Sequence, residues 1–291
     1  MRLINALLVL LALLAARGCS RVSLVYNTAD YFIEGYAEDY LETDNAQMSA
    51  WQPALAATLS RHRREELPYL AAFFEGFHQA VREGLEPPAV ECLMDDSQEI
   101  YRRHFRLASD LAAPLLADLT PAQVNALERR FAEDAAKDAA ESGKRVERRK
   151  RKRAERWAKS AEWWIGPPSQ EQLAIIREQT AAMPDTAEAW VAFRSAKQAG
   201  LVRLLRSGAE AQEIRRYLGD WLADFSDLPR PLREAGREMR ERVAELLVRL
   251  DRTLSKSQRG RFADRLAGLR DDFMDLQRRP HMADGRCAGR G

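Results

Sequence analysis

Strand-forming residues are thinly spread in this sequence. Val, Ile and Thr rarely gather into runs, and no convincing strand pair can be traced. Ala, Leu, Arg and Glu dominate instead, a composition that favours helix over sheet. With 15 glycines and 12 prolines in 291 residues, collagen-like and disordered classes are excluded too. Four histidines (His62, His78, His104, His281) lie on four separate segments, with no pair at ligand spacing. A zinc site needs three or four converging ligands, so neither metal nor any other cofactor is expected. There is no Gly-rich phosphate loop and no Gly-x-Ser-x-Gly nucleophile elbow. The expectation is a protein that is not an enzyme.

The longest apolar run is short. Ala6 to Ala16 is eleven residues, ended by Arg17, whereas a spanning helix needs about 20. With Met1-Arg2 before it, the run reads as a secretory signal occupying residues 1–18. Gly18-Cys19-Ser20 follows, like a lipoprotein processing site in which Cys19 becomes the acylated N-terminus. Ordinary cleavage at the same bond, suggested by Ala16-x-Gly18, would leave a free Cys19. Ser20 after the Cys fits outer-membrane sorting in a Gram-negative cell, facing the periplasm. Cys92 and Cys287 remain. An oxidising compartment permits a bridge between them; two free thiols is the alternative.

Charge is unevenly laid out. Residues 22–60 hold six acids and no Lys or Arg. Residues 144–159 hold ten bases and two acids, among them Arg145, Arg148, Arg149, Lys150, Arg151, Lys152, Arg153 and Arg156. Behind an export signal this block does not point to nucleic acid. It is the candidate surface for an anionic lipid, a glycan or a client protein; a solvated face balanced by local acids is the plainer reading.

An all-α fold of about eight or nine helices is expected, with a tether at 19–29, a helical domain at 30–279 and a disordered tail at 280–291. Tyr31, Phe32, Tyr36, Tyr40 and Leu41 form an aromatic stripe read chiefly as core, with ligand stacking as the alternative. Pro53 and Pro68 are expected to bend or break their helix. Four stretches carry capping boxes, in which an N-cap side chain and a Gln three residues on satisfy each other's backbone N–H. They are Asp44-x-x-Gln47, Thr120-x-x-Gln123, Ser169-x-x-Gln172 and Ser255-x-x-Gln258. A further helix start is read at Pro184-Asp185-x-x-Glu188. Thr120-Pro121 opens what reads as one very long helix to Ile165, elongating the bundle, with Ser142-Gly143 its weak point. Its basic middle has almost no face to bury.

Several of these features together resemble a known family. They are Gly18-Cys19-Ser20, Val25-Tyr26-Asn27 to Tyr31, His62-Arg63-Arg64-Glu65-Glu66-Leu67-Pro68, Leu119-Thr-Pro-Ala-Gln123 to Phe131, and Trp163-Trp164-Ile165-Gly166. They look like the bacterial lipoproteins of domain of unknown function 6279. That resemblance implies an envelope lipoprotein and supplies no catalytic residues. Leu119-Thr-x-x-Gln123 and Leu254-Ser-x-x-Gln258 more distantly resemble the periplasmic Leu-Thr-x-x-Gln (Spy/CpxP-like) helical proteins, which implies a chaperone-like or stress-related role. The expected function is a binding protein of the cell envelope, held to the membrane through acylated Cys19. A structural scaffold, dimeric through the long helix, is the alternative.

Overall fold

The computed structural model describes residues 21–143, 146–285 and 287, and the described residues are helical with no strand. The signal segment, Cys19, Lys144 and Arg145 lie outside the described residues. The chain splits into more helices than expected. The stretch taken as an extended tether is already helical as α1 (Arg21–Asn27), followed by α2 (Ala29–Leu41). Next come α3 (Asn45–Glu65) and α4 (Leu67–Glu83). Pro53 is accommodated inside α3, and the break falls at Glu66, with Pro68 in the first turn of α4. There a missing N–H costs nothing. Gly84, at φ 107°, ends α4.

Then follow α5 (Pro87–Ala117) and α6 (Pro121–Ser142). The continuous helix expected from Pro121 to Ile165 is instead two, α6 and α7 (Val146–Ile165), parted after Ser142. Gly143 costs about 1 kcal/mol against Ala inside a helix. With few apolar side chains beside it, little packing offsets that. The chain continues as α8 (Gln170–Ala182), α9 (Ala187–Arg206) and α10 (Ala211–Leu218), then a π-helical turn (Gly219–Asp224). The last helices are α11 (Arg230–Arg252) and α12 (Lys256–Asp275).

The core is several clusters laid along the bundle. Val81, Val90, Ile165, Phe262 and Leu266 join α4, α5, α7 and α12. Leu116, Leu127, Leu201 and Ile214 join α5, α6, α9 and α10. Met48, Trp51, Leu55 and Leu115 pack α3 on α5 beneath Ala37 of α2. Ile175, Ile176 and Leu246 join α8 and α11, with Trp157 of α7 against them.

All four expected capping boxes form, and each Gln does more than cap. Gln47 Oε1 accepts from Asp44 N (3.0 Å), Gln123 Oε1 from Thr120 N (2.8 Å), Gln172 Oε1 from Ser169 N (2.8 Å) and Gln258 Oε1 from Ser255 N (3.1 Å). The side-chain amides then pair across helices. Gln47 Nε2 donates to Gln123 Oε1 (3.1 Å), and Gln123 Nε2 donates back to Gln47 Oε1 (2.7 Å). Gln172 and Gln258 do the same at 2.9 and 3.1 Å. Each amide's remaining donation goes to the carbonyl two residues before its partner's N-cap: Asp118, Glu42, Thr253 and Pro167. The α3 and α6 starts are thus locked together, and the α8 and α12 starts are locked by the same pattern.

The tail expected to be disordered is tied down where it is described. Ala283 N donates to Pro68 O (3.1 Å), and Cys287 forms a disulfide with Cys92 of α5, Cα atoms 5.8 Å apart.

Candidate functional site

A cavity of about 1010 Å³ lies between α1, α2, α3 and the segment leaving α12. Leu55, Ala56 and Leu59 of α3 supply apolar lining. Arg63 and Arg64 come from the last turn of α3, and Arg278, Arg279 and His281 from the strapped tail. Asp30 and Glu34 of α2 stand on the other side, Glu34 accepting from Gln52 Nε2 at 3.2 Å.

The cationic side is held without carboxylates. Arg63 donates to Leu276 O (2.8 Å) and Asn27 Oδ1 (3.3 Å), and sits 4.9 Å over the Tyr26 ring. Arg64 donates to Ser60 Oγ (2.9 Å). None of Arg63, Arg64, Arg278 and Arg279 has an ion pair among the described residues, whereas Arg61, Arg103, Arg240, Arg259 and Arg270 all do. Arg63, held on a carbonyl, an amide oxygen and a ring, and Arg64, held on a hydroxyl, keep donors for a ligand. Guanidinium also matches carboxylate or phosphate geometry.

Beside the cleft runs a relay that sequence spacing could not show. Tyr26 Oη lies 2.9 Å from His62 Nδ1, and His62 Nε2 lies 3.0 Å from His104 Nε2. His104 Nδ1 lies 2.7 Å from Ile100 O, which can only accept. His104 carries its hydrogen on Nδ1, facing the Ile100 carbonyl. With neutral rings the order along the relay is then fixed: His104 Nε2 accepts from His62 Nε2–H, and His62 Nδ1 accepts from the Tyr26 hydroxyl. His62 is lowered from 6.5 to about 4, first by burial and then by His104. Burial likewise pushes Tyr26 up. His62 and His104 are 42 residues apart, on α3 and α5, so no local spacing signals the pair.

The His-Arg-Arg-Glu-Glu stretch is otherwise a salt-bridged elbow. Glu66, buried at the α3–α4 junction, takes both prongs of Arg103 at 2.7 and 2.9 Å. Arg103 also stacks 4.0 Å over Tyr69. Arg61 pairs with Glu65 at 2.8 Å. Among the described residues, the single set of converging metal-ligand atoms is Cys92, Asp96 and Cys287. Two of those atoms are disulfide sulfurs, which are not thiolate ligands.

The basic block divides. Arg149 pairs with Asp185, and Arg153 donates to the carbonyls of Thr180 (3.3 Å), Met183 (2.9 Å) and Pro184 (3.2 Å). This closes the C-terminus of α8, so the block does have an inward face, contrary to expectation. Asp185 is shared: its Oδ2 takes Arg149 while its Oδ1 accepts from Ala187 N (3.5 Å), and α9 starts at Ala187 behind Thr186, which makes no side-chain cap of its own. Lys150 and Arg151 pair along their own helix with Glu147 and Glu155. Lys152 is half-buried and engaged, and Arg148 and Arg156 are exposed.

The aromatic stripe is also split. Tyr40 and Leu41 pack inward, but Tyr31, Phe32 and Tyr36 are 74%, 61% and 65% exposed.

The family described as "Family of unknown function (DUF6279)" matches residues 39–231, more than half of the chain, and the chain belongs to it. No curated protein and no solved structure matches. The matched segment holds His62, Arg63, Arg64 and His104. Tyr26 and the strapped tail lie outside it.

Proposed function

We propose that this DUF6279 chain is a lipid-anchored, periplasm-facing binding protein of a Gram-negative outer membrane. Its cleft would take an anionic ligand with an apolar body, carboxylate- or phosphate-bearing. One observation carries the reading: Arg63, Arg64, Arg278 and Arg279 converge on one cavity without a carboxylate pair among the described residues, over an apolar floor of Leu55 and Leu59. The anchor rests on Gly18-Cys19-Ser20 behind the Ala6–Ala16 run. A catalytic role has less support. The Tyr26–His62–His104 relay uses both ring nitrogens of each histidine internally, so neither His62 nor His104 offers the cleft a free ring nitrogen.

Titration of dodecyl phosphate into the purified chain tests this. Arg64→Gln with Arg279→Gln should weaken binding at least about tenfold, since charge-assisted bonds contribute roughly 1.5–3 kcal/mol. Equal affinity in the double variant, or no binding by either protein, would sink the cleft as the site.

A chaperone-like role, and with it kinship to the Leu-Thr-x-x-Gln helical proteins, is a second reading. It is favoured by Thr120–Gln123 and Ser255–Gln258, which open helices as those motifs would, and by the exposed aromatics of α2. Its test is whether the chain slows aggregation of an unfolded client. The capping and pairing roles of these glutamines account for the motif by folding alone.

A further inference from the structure

Five of the ten large hydrophobic side chains exposed in the described residues lie on α1 and the start of α2: Leu24, Val25, Tyr31, Phe32 and Tyr36. Their concentration within thirteen positions marks a patch and not a scatter. Leu24 and Val25 are adjacent on α1, and on α2 the offsets of Tyr31, Phe32 and Tyr36 (0, 1, 5) put them on one helical face. Thr28, with non-helical backbone (φ −115°, ψ 12°), caps α2, its carbonyl accepting from Phe32 N at 3.3 Å. The opposite face is used by the fold: Ile33 and Ala37 pack on Met48, Trp51 and Leu55. This segment is therefore apolar on two sides, and the outer one stays largely exposed, with Tyr36 stacked on Tyr40 at its edge.

We propose that this outer face lies in the headgroup region of the bilayer that holds the protein, against zwitterionic phospholipid. The inference rests on the anchor reading above. Arg21 opens α1 only two residues after Cys19, a reach of about 7 Å, so an acylated Cys19 sets this face at the membrane surface. Tyr and Phe, flanked by Leu and Val, are the residue types that settle at headgroup level. Charge selects the lipid. Asp30, Glu34 and Glu38 neighbour the face, Asp39 beyond it is paired with Arg130 (3.1 Å), and no Lys or Arg occurs in residues 22–60. A strongly anionic surface would repel such a segment, whereas a zwitterionic one would not.

The experiment is photo-crosslinking of the full chain, expressed with its signal in a Gram-negative host, to a phosphatidylethanolamine carrying an acyl-chain diazirine. Labelled peptides are mapped by mass spectrometry. Label is expected across residues 24–36. It should fall about tenfold in Tyr31→Ser/Phe32→Ser/Tyr36→Ser and return in Tyr31→Trp/Phe32→Leu/Tyr36→Trp. Label absent from 24–36 in the wild-type chain would overturn the proposal. So would crosslinks from this face to a second copy, to a client peptide or to residues 6–16. The N-terminal mass separates the two readings. An unmodified Cys19 with residues 24–36 still labelled refutes the anchor alone; an acylated Cys19 with those residues unlabelled refutes the docking face alone.

Discussion

Gln47 and Gln123 each donate a side-chain N–H to the other's side-chain oxygen, at 3.1 and 2.7 Å, while each oxygen also caps its own helix. Both residues are buried, and every amide hydrogen has a partner once Asp118 O and Glu42 O are counted. Gln123→Ala removes one member and strands Gln47 and the Glu42 carbonyl. A buried unsatisfied group costs about 1–3 kcal/mol, so the variant should lose roughly 2–4 kcal/mol in urea denaturation. Gln123→Glu keeps the acceptor for Thr120 N but has no N–H to return, and should also destabilise. In a cycle with Gln47→Ala, the double variant should fall short of the summed losses by about 1–3 kcal/mol. Gln172→Ala shares no partner with Gln123, so its loss should simply add. Additive losses at Gln47 and Gln123 would contradict the lock.

The starts of these helices were legible because capping chemistry is local: Thr120 and Gln123 stand three residues apart and signal a helix N-terminus by themselves. That Gln123 faces Gln47, 76 residues away, has no local sign. Four boxes of one type were the only hint that they pair. The basic block misleads for a related reason. Arg153 looks like surplus charge until the α8 terminus is placed beside it, when it becomes the donor for three otherwise open carbonyls. The stripe at Tyr31, Phe32 and Tyr36 misleads the other way, since helical periodicity of apolar residues shows a face and not what covers it. The cationic cleft draws Arg63 and Arg279 from chain positions over 200 apart, joined by a fold and a disulfide that no spacing displays.

The histidine relay makes stability depend on pH. The ordinary His62 value of 6.5 falls to about 4 in the folded chain. The folded state therefore favours neutral His62. Its contribution is fully present above about pH 6.5 and is lost as pH falls toward 4. After discounting for residual water at the ring, the loss is roughly 2–3 kcal/mol. A proton added at Nδ1 also ends its acceptance from Tyr26. Unfolding free energies at pH 7, 5.5 and 4.5 should fall more steeply for the wild type than for His62→Gln, which does not titrate. Parallel curves would show that the relay carries no such linkage.

The disulfide ties stability to the cleft. Cys92 and Cys287 close a loop spanning 195 residues, and the tail inside it carries Arg278, Arg279 and His281 to the cavity wall. Breaking such a bridge costs about 2–5 kcal/mol, so reductant should lower the melting temperature of the wild type and leave Cys287→Ser unchanged. The local consequence is sharper. Without the bridge the tail keeps Ala283 N on Pro68 O and His281 N on Gln277 Oε1, a weak hold for an exposed segment. Trypsin should then cut after Arg278 faster in reduced wild type and in Cys287→Ser than in the oxidised protein. Dodecyl phosphate affinity should drop in the same two samples, because two of the four guanidiniums are no longer held in place. Faster cleavage with unchanged affinity would place the ligand's charge on Arg63 and Arg64 alone. If neither cleavage nor affinity responds to reduction, the tail is held by its packing and the bridge adds nothing to the cleft.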